Sequence, residues 1–177
     1  MTADLQSIYG RVRSATGSDG QGSSDFPLDL SLGNQVRMTH RVLQRYLQSK
    51  IEPHGVTLGM WYFLRVLWSE DGLTQRELSR RIGTMEPTTL AAIVQMEKSG
   101  FVTRVRGTLD RRRQHIHLTE KGRAAADELL PLAVDVVRAA AAGLSLREIA
   151  FFLDILRTIQ ANLDARLDPA RAAAELV

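Results

Sequence analysis

The chain has 177 residues, of which 44% are hydrophobic and 24% charged, proportions typical of a soluble globular protein of about one domain. It contains no cysteine, which excludes disulfide bonds, thiolate metal sites and cysteine nucleophiles. The net charge is only +3, but residues 74–121 contain ten basic and five acidic residues, so the rest of the chain is slightly acidic. A basic surplus confined to about a quarter of the chain is typical of a nucleic-acid-binding surface.

The two ends of the chain are predicted to lie outside the folded part. Residues 1–30 are expected to form a flexible arm, because residues 14–25 contain no large apolar side chain that could offset the entropy of ordering. Residues 168–177 form a short polar and alanine-rich tail. After the arm, apolar residues recur at helical spacing over about 31–52, which predicts a first helix that ends before Pro53.

The middle of the chain predicts two helices joined by a turn, preceded by a third helix. Thr57 can cap a helix that is apolar on nearly all sides, and we therefore expect it to lie between two layers. Thr74 and Glu77 have the spacing of a capping box, which begins a short helix, and Pro87 suits the first turn of the next helix. A two-stranded hairpin is expected to follow, with strands at 101–106 and 114–118 and a charged turn at 107–113.

The remaining residues, about 119–167, are predicted to be helical. One helix extends to about residue 142, and a second capping box at Ser145 and Glu148 begins a helix that carries apolar residues on two sides. The most apolar tract, 124–144, contains four charged residues and is too polar to cross a bilayer. Because no secretory signal is seen either, we expect a cytoplasmic protein. The predicted fold class is mainly α with a small β-hairpin.

The helix that begins near Pro87 has the pattern of a helix that enters the major groove of DNA. On a helical wheel, four residues face the core, and the side chains on the opposite side are small or polar. This allows the helix to approach base edges closely. On this side, Gln95 suits adenine, whereas Thr88 or Ala91 suits a thymine methyl group. The pattern alone does not exclude an ordinary solvated helix face. The candidate DNA-contacting residues are Pro87, Thr88, Ala91, Gln95 and Lys98.

The hairpin carries a cluster of arginines at and beside its turn, opposed only by Asp110. Neighbouring guanidinium groups repel one another, and a polyanion is their natural partner. A run of charges is usually a solvated surface, but its position beside two helices joined by a turn favours DNA binding. The clustered arginines are Arg104, Arg106, Arg111, Arg112 and Arg113.

The sequence resembles the MarR-type winged-helix regulators. The similar segments are L-T-Q-R-E-L-S-R-R-I-G, M-E-K-S-G-F-V-T-R, the D-R-R of the hairpin and H-L-T-E-K-G. The resemblance implies a winged helix at about 57–118, with the hairpin as its wing, and dimerisation helices at about 31–52 and 119–167. It further implies that Asp110 orients the wing and that Arg112 enters the minor groove. Glu86-Pro87 departs from the family pattern and leaves the operator sequence open.

Members of this family are homodimers that bind palindromic operators, and a small ligand commonly releases the DNA. The segment from His54 to Arg65 resembles a subgroup that senses aromatic acids or their coenzyme A thioesters. Trp61, Arg65 and Trp68 fall on one side of a helix, where a guanidinium among aromatic rings could pair with an anionic ligand. A structural salt bridge with packed tryptophans is the alternative. Further effector candidates are His40 and Arg41.

Two histidines, His115 and His117, share one face of the second predicted strand. They could form half of a metal site, although contacts with phosphates or water are the favoured interpretation. We therefore expect neither a metal nor a cofactor.

The sequence is compatible with three functions. The favoured one is a dimeric, ligand-responsive DNA-binding transcription regulator, in most cases a repressor. The alternatives are an architectural DNA-binding protein or activator without an effector, and an enzyme. The usual catalytic and nucleotide-binding motifs are absent from the sequence, and no exposed apolar wedge marks the hairpin, so the regulator is favoured.

Overall fold

The computed structural model describes Leu28, residues 31–106 and residues 114–167. The predicted arm apart from Leu28, the wing tip at 107–113 and the tail lie outside these residues. The described part is mainly helical with one small sheet, as predicted. The helices are α1 (Leu32–Ile51), α2 (Leu58–Ser69), α3 (Gln75–Ile82), α4 (Glu86–Lys98), α5 (Glu120–Ala140) and α6 (Leu146–Leu167), with a 3₁₀ turn at Glu52–His54. The strands are β1 (Leu73–Thr74), β2 (Val102–Arg106) and β3 (Gln114–Leu118).

The predicted helix caps are confirmed. The Thr57 hydroxyl accepts a hydrogen bond from the backbone N–H of Met60, and Thr74 forms a full capping box with Glu77. Each cap satisfies backbone N–H groups that have no partner within the first helical turn. The box at Ser145 and Glu148 is also formed, with the Glu148 carboxylate accepting from both the hydroxyl and the backbone N–H of Ser145.

The sheet has three strands, whereas the sequence predicted two. The order is β1-β3-β2, all antiparallel, and β1 pairs Leu73 with Ile116. β1 contains only two residues, so it is too short to show the alternation that identifies a strand in sequence. Gly72, at a φ of +76°, turns the chain into this pairing.

The chain divides into two compact units, Met1–Val136 and Val137–Val177. In the first unit, α2 lies at the centre of the core and contacts α1, α3, α4 and β3, which confirms that its apolar sides are covered by more than one layer. Burial of these side chains is the main stabilising contribution to the winged helix. The largest fully buried side chains are Ile51, Met60, Leu64, Leu67, Leu78, Ile93, Met96, Phe101, Ile116 and Leu129.

The second unit exposes apolar side chains instead of burying them. No residue of α6 is buried, and even its large apolar side chains are exposed, Phe151 to 68% and Leu167 to 82%. A helix of 22 residues with this composition needs a covering surface to be stable in water. Among the described residues, no helix is long and apolar enough to cross a membrane.

The capping box of α3 makes stability depend on pH. The hydroxyl and then the backbone N–H of Thr74 hold the pKa of Glu77 below its ordinary value of 4.5. Because the folded-state pKa is lowered, the stabilisation is present above the unfolded-state pKa and is lost as the pH falls through the folded-state pKa.

We therefore expect Thr74→Ala to lower the free energy of unfolding by about 1 kcal/mol at pH 7, and by less at pH 3.5. Urea unfolding at the two pH values measures the effect. The companion variant Glu77→Gln keeps an acceptor but cannot titrate. In that background, Thr74→Ala should therefore lower the free energy of unfolding by the same amount at both pH values. An equal loss for Thr74→Ala at both pH values in the wild-type background would contradict this assignment.

Candidate nucleic-acid interface

The helix α4 has the two faces that the sequence predicted. Its buried residues are Thr89, Ala92, Ile93 and Met96. Its exposed residues include all five DNA-contacting candidates, Pro87, Thr88, Ala91, Gln95 and Lys98. Of the other residues of the helix, Leu90 is exposed and Val94 is half-buried. The helix is therefore fixed to the core along one side and free to enter a groove along the other.

The turn between α3 and α4 is held by polar contacts. Gly83 ends α3 at a φ of +71°, and the Ser79 hydroxyl donates to the carbonyl oxygen of Thr84 over 2.5 Å. The Gln75 side chain donates to the carbonyl oxygen of Glu86 at the start of α4. These contacts fix the N-terminal end of α4, the end that leads into the groove in proteins with two helices joined in this way.

A cleft of about 730 Å³ lies beside the N-terminal ends of α3 and α4. Arg76 and Arg80 line it from α3, and Gln114 lines it from the base of the wing. Arg81, by contrast, is paired with Glu70. Glu77 and Glu86 line the same cleft, and its two exposed arginines are side chains of the type that contacts phosphate oxygens.

Asp71 is a centre of contacts at the base of the wing that the sequence analysis missed. Its Oδ1 accepts from the backbone N–H groups of Leu118 (2.8 Å) and Gly72 (2.9 Å). Its Oδ2 lies 3.3 Å from Arg123 and 3.6 Å from His117. One carboxylate therefore joins β1, β3 and α5. The sequence showed Asp71-Gly72 only as a turn, since the partners are about 50 residues away.

Arg104 corrects the interpretation that the wing arginines are opposed only by Asp110. Its Nε lies 3.2 Å from the Glu97 carboxylate, and the side chain is half-buried between β2 and α4. Arg104 therefore joins the wing to α4, and Arg106 is exposed at the end of β2. The other wing candidates, Asp110, Arg111, Arg112 and Arg113, lie outside the described residues.

The segment Leu-Thr-x-x-Gly, residues 118–122, begins at the last residue of β3 and packs tightly against the backbone of Phe101. The Thr119 hydroxyl donates to the carbonyl oxygen of Gly100 over 2.6 Å and accepts from the N–H of Gly122. A Cβ on Gly122 would lie only 2.0 Å from the carbonyl oxygen of Phe101. The residues that carry the family resemblance here thus set the close approach of α5 to the start of the wing.

Each of the two histidines has a protein partner at Nδ1, which the sequence did not predict, and their contact with phosphates or water stays a prediction. His115 Nδ1 lies 2.8 Å from the carbonyl oxygen of Gly72, and His117 Nδ1 faces Asp71. Their rings are 6.5 Å apart. Within 31–106 and 114–167, no group of three metal-ligating side chains is brought together.

The effector candidates on α2 do lie together. Trp61 is buried and meets the ring of Trp68 edge to face, with centroids 5.7 Å apart. The exposed guanidinium of Arg65 lies 5.7 Å from the Trp61 ring, and among the described residues it forms no ion pair. The tryptophans are packed as the structural alternative expects, whereas its salt bridge is not formed among the described residues, so both interpretations of Arg65 stay predictions. Trp68 donates its indole N–H to the carbonyl oxygen of Gly122 over 2.8 Å.

The other two effector candidates, His40 and Arg41 on α1, are exposed. Among the described residues, no hydrogen bond joins them to the pair of tryptophans. Gln48 accepts from the N–H of Leu58, and Gln44 contacts Tyr62, which shows that α1 and α2 are antiparallel. Extended by one turn, this register brings His40 and Arg41 to the level of Arg65.

Comparison with known proteins identifies the family. The MarR family pattern matches residues 56–113. The HTH-type transcriptional regulator TtmR of Methylorubrum extorquens is 32% identical over 157 residues, which cover 88% of this chain and 76% of TtmR. The homoprotocatechuate degradative operon repressor of Escherichia coli is 27% identical over 79 residues, 45% of this chain and 53% of that protein.

Among solved structures, a MarR transcriptional regulator from Methanosarcina mazei Go1 superposes with a TM-score of 0.67 at 30% identity. The superposition covers 75% of this chain and 97% of that chain. The fold, the buried and exposed faces of α4 and the similar proteins all lead to the same assignment. The chain belongs to the MarR family and is a DNA-binding transcriptional regulator with a winged helix-turn-helix.

Proposed function

We propose that the protein is a homodimeric, sequence-specific repressor that a small anionic ligand of the aromatic-acid class releases from a palindromic operator. The observation that carries the proposal is α4, which is fixed to the core by one face and presents small, polar and some apolar residues on the other. The protein would act in the cytoplasm, where its operator is accessible.

In this proposal α4 enters the major groove and the wing contacts the adjacent minor groove. Gln95 recognises adenine, whereas Thr88 and Ala91 contact thymine methyl groups. Lys98, Arg106 and the wing-tip arginines neutralise phosphates, and Arg112, oriented by Asp110, enters the minor groove. Arg76 and Arg80 in the cleft beside α4 hold the phosphate backbone.

The proposal of a homodimer is supported by apolar side chains that each unit leaves exposed. On α1 these are Leu32, Val36, Met38, Val42, Leu43 and Tyr46. On α6 they are Leu146, Phe151, Phe152, Leu153, Ile155, Leu163 and Leu167. Many exposed apolar side chains along one helix, as on each of these two, are typical of an obligate subunit interface. Residues 31–52 and 119–167 would therefore be dimerisation helices.

The proposal of an anionic aromatic ligand is supported by Arg65, whose guanidinium is exposed beside Trp61 and lacks a carboxylate partner among the described residues. Trp68 supplies a second aromatic ring, and His40 and Arg41 lie at the same level on α1. An Arg–carboxylate pair next to aromatic rings would bind an aromatic acid by charge and by stacking. The E. coli relative, a repressor of a homoprotocatechuate degradative operon, is in keeping with this ligand class and with repression.

The DNA-binding assignment predicts different effects for base-contacting and phosphate-contacting residues. Gln95→Ala should weaken binding to a duplex selected from a random library by about 1–3 kcal/mol. Binding to random duplexes should change little. Arg112→Ala should weaken both and reduce the slope of log K against log salt by about 0.9. Fluorescence anisotropy at several salt concentrations measures this. Arg157→Ala, an exposed arginine of α6, is the matched control. Unchanged affinities for Arg112→Ala would contradict the wing assignment.

The ligand assignment predicts that Arg65→Ala separates DNA binding from release. The variant should keep its operator affinity, whereas its affinity for the effector should fall about 10- to 150-fold, because a charge-assisted contact is lost. The effector is first found by a thermal-shift screen of aromatic acids and their thioesters, since a ligand at 100 times its Kd adds about 2.7 kcal/mol. Arg65→Lys keeps the charge and should be impaired less. A folded Arg65→Ala variant that still responds normally would place the ligand site elsewhere.

A further inference from the structure

The recognition helix exposes more apolar surface than its attachment to the core requires. Leu90 is 41% exposed on α4, and Met85, the residue directly before the helix, is 77% exposed. Pro87 and Ala91 are exposed as well, and the half-buried Val94 lies about 30° from the point opposite the buried face. Pro87, Leu90, Ala91 and Val94 form a strip along the outward side of the helix, and together with Met85, exposed directly before it, we call them the α4 apolar stripe.

Polar and charged side chains surround the α4 apolar stripe, and on the side of Leu90 these are the acidic Glu86 and Glu97, of which Glu97 is paired with Arg104. Thr88 and Gln95 flank it on one side, and Lys98 continues its line towards the end of the helix. Arg76 and Arg80 are exposed on α3, beside the start of α4. The cationic side chains outnumber the acidic ones, and an apolar strip with a net positive border is complementary to a polyanion that carries apolar groups. DNA is such a partner, and the apolar group in its major groove is the 5-methyl group of thymine.

We propose that the α4 apolar stripe selects thymine by its 5-methyl group, so that the operator half-sites carry T·A pairs opposite Met85, Leu90 and Ala91. This inference rests on the proposed function, in which α4 enters the major groove. Burial of one methyl group against an apolar side chain changes affinity about fourfold. Gln95, on the flank of the stripe, contributes by hydrogen bonds and selects adenine separately.

The test replaces thymine by deoxyuridine in a duplex selected from a random library. Deoxyuridine keeps every hydrogen-bonding group of thymine and lacks only the methyl group, so the protein itself is unchanged. We expect a loss of about fourfold for each contacted thymine, and of tenfold or more when all thymines of both half-sites are replaced. Replacement of thymines outside the half-sites should leave the affinity unchanged.

A combined experiment assigns the effect to the stripe. Leu90→Ala, with folding checked by circular dichroism, should lose affinity for the thymine duplex and become insensitive to deoxyuridine at the thymine that Leu90 contacts. Gln95→Ala, the matched variant on the same exposed side, should remain fully sensitive to that replacement. The difference between the effect of deoxyuridine on the wild-type protein and on Leu90→Ala is the coupling energy of a double-mutant cycle.

The outcomes separate this inference from the proposed function. If the wild-type protein binds the thymine and deoxyuridine duplexes equally, the inference is overturned and the proposed function stands. If no duplex is enriched in the selection, both are overturned. If Leu90→Ala changes the sedimentation of the protein and not its DNA affinity, the stripe covers a second copy of this chain and the inference is likewise overturned.

Discussion

Phe152→Glu is expected to convert the protein from a dimer into monomers at micromolar concentration and to weaken operator binding about 100-fold or more. Phe152 lies on the apolar side of α6, a helix on which no residue is buried within the chain. A carboxylate at the centre of an apolar interface has no partner to offset its desolvation. Loss of the second subunit removes the simultaneous binding of two half-sites, which contributes a factor of about 10²–10⁴.

Sedimentation velocity and fluorescence anisotropy measure the two effects of this change. The matched control is Ala161→Glu, which adds the same charge on the opposite side of α6 and should leave the assembly and operator affinity unchanged. The wild-type chain should sediment at about twice 19.7 kDa. A Phe152→Glu variant that remains a dimer and binds the operator normally would show that α6 does not join the subunits.

Gly122→Ala is expected to destabilise the winged helix by about 3 kcal/mol, because the added methyl group cannot be accommodated. It would lie 2.0 Å from the carbonyl oxygen of Phe101 and 3.2 Å from a methyl group of Leu118. Both neighbours are constrained, because Phe101 and Leu118 are buried. The carbonyl oxygen of Phe101 also accepts a hydrogen bond from the N–H of Thr119. Overpacking against backbone displaces whole elements and costs more than overpacking against a flexible side chain.

Thermal unfolding at a fixed protein concentration measures this loss, which corresponds to a decrease in Tm of about 6–12 °C. Gly33→Ala is the control, because a Cβ there meets nothing within 4 Å and the residue lies in the first turn of α1. It should be neutral or slightly stabilising, by up to about 1 kcal/mol. An equal Tm for Gly122→Ala and the wild-type protein would contradict the close approach of α5 to Phe101.

The elements that follow from local patterns could be predicted from the sequence. The buried face of α4 was predicted residue by residue, because a period of 3.6 places residues such as Thr89 and Ile93 on one side. The caps at Thr57 and Thr74 followed from residue type and spacing in the same way. The grouping of Trp61 with Arg65 also required only the geometry of one helix.

Contacts between distant residues could not be predicted in this way. Asp71 binds the N–H of Leu118, which is 47 positions away, and Glu97 meets Arg104 only because β2 folds back along α4. Neither pair has a spacing that a single helix or strand would bring together. The pairing of β1 with β3 was missed for the same reason.

The central claim is that two copies of α4 recognise a symmetric DNA sequence. Selection of duplexes from a random library by the full-length protein, followed by sequencing, tests it most directly. We expect enrichment of an inverted repeat whose half-sites are centred about one helical turn, roughly 10 base pairs, apart. The same selection with Gln95→Ala should lose the preference for adenine at one position of each half-site. A selection that enriches no sequence, or only a single asymmetric site, would contradict the claim.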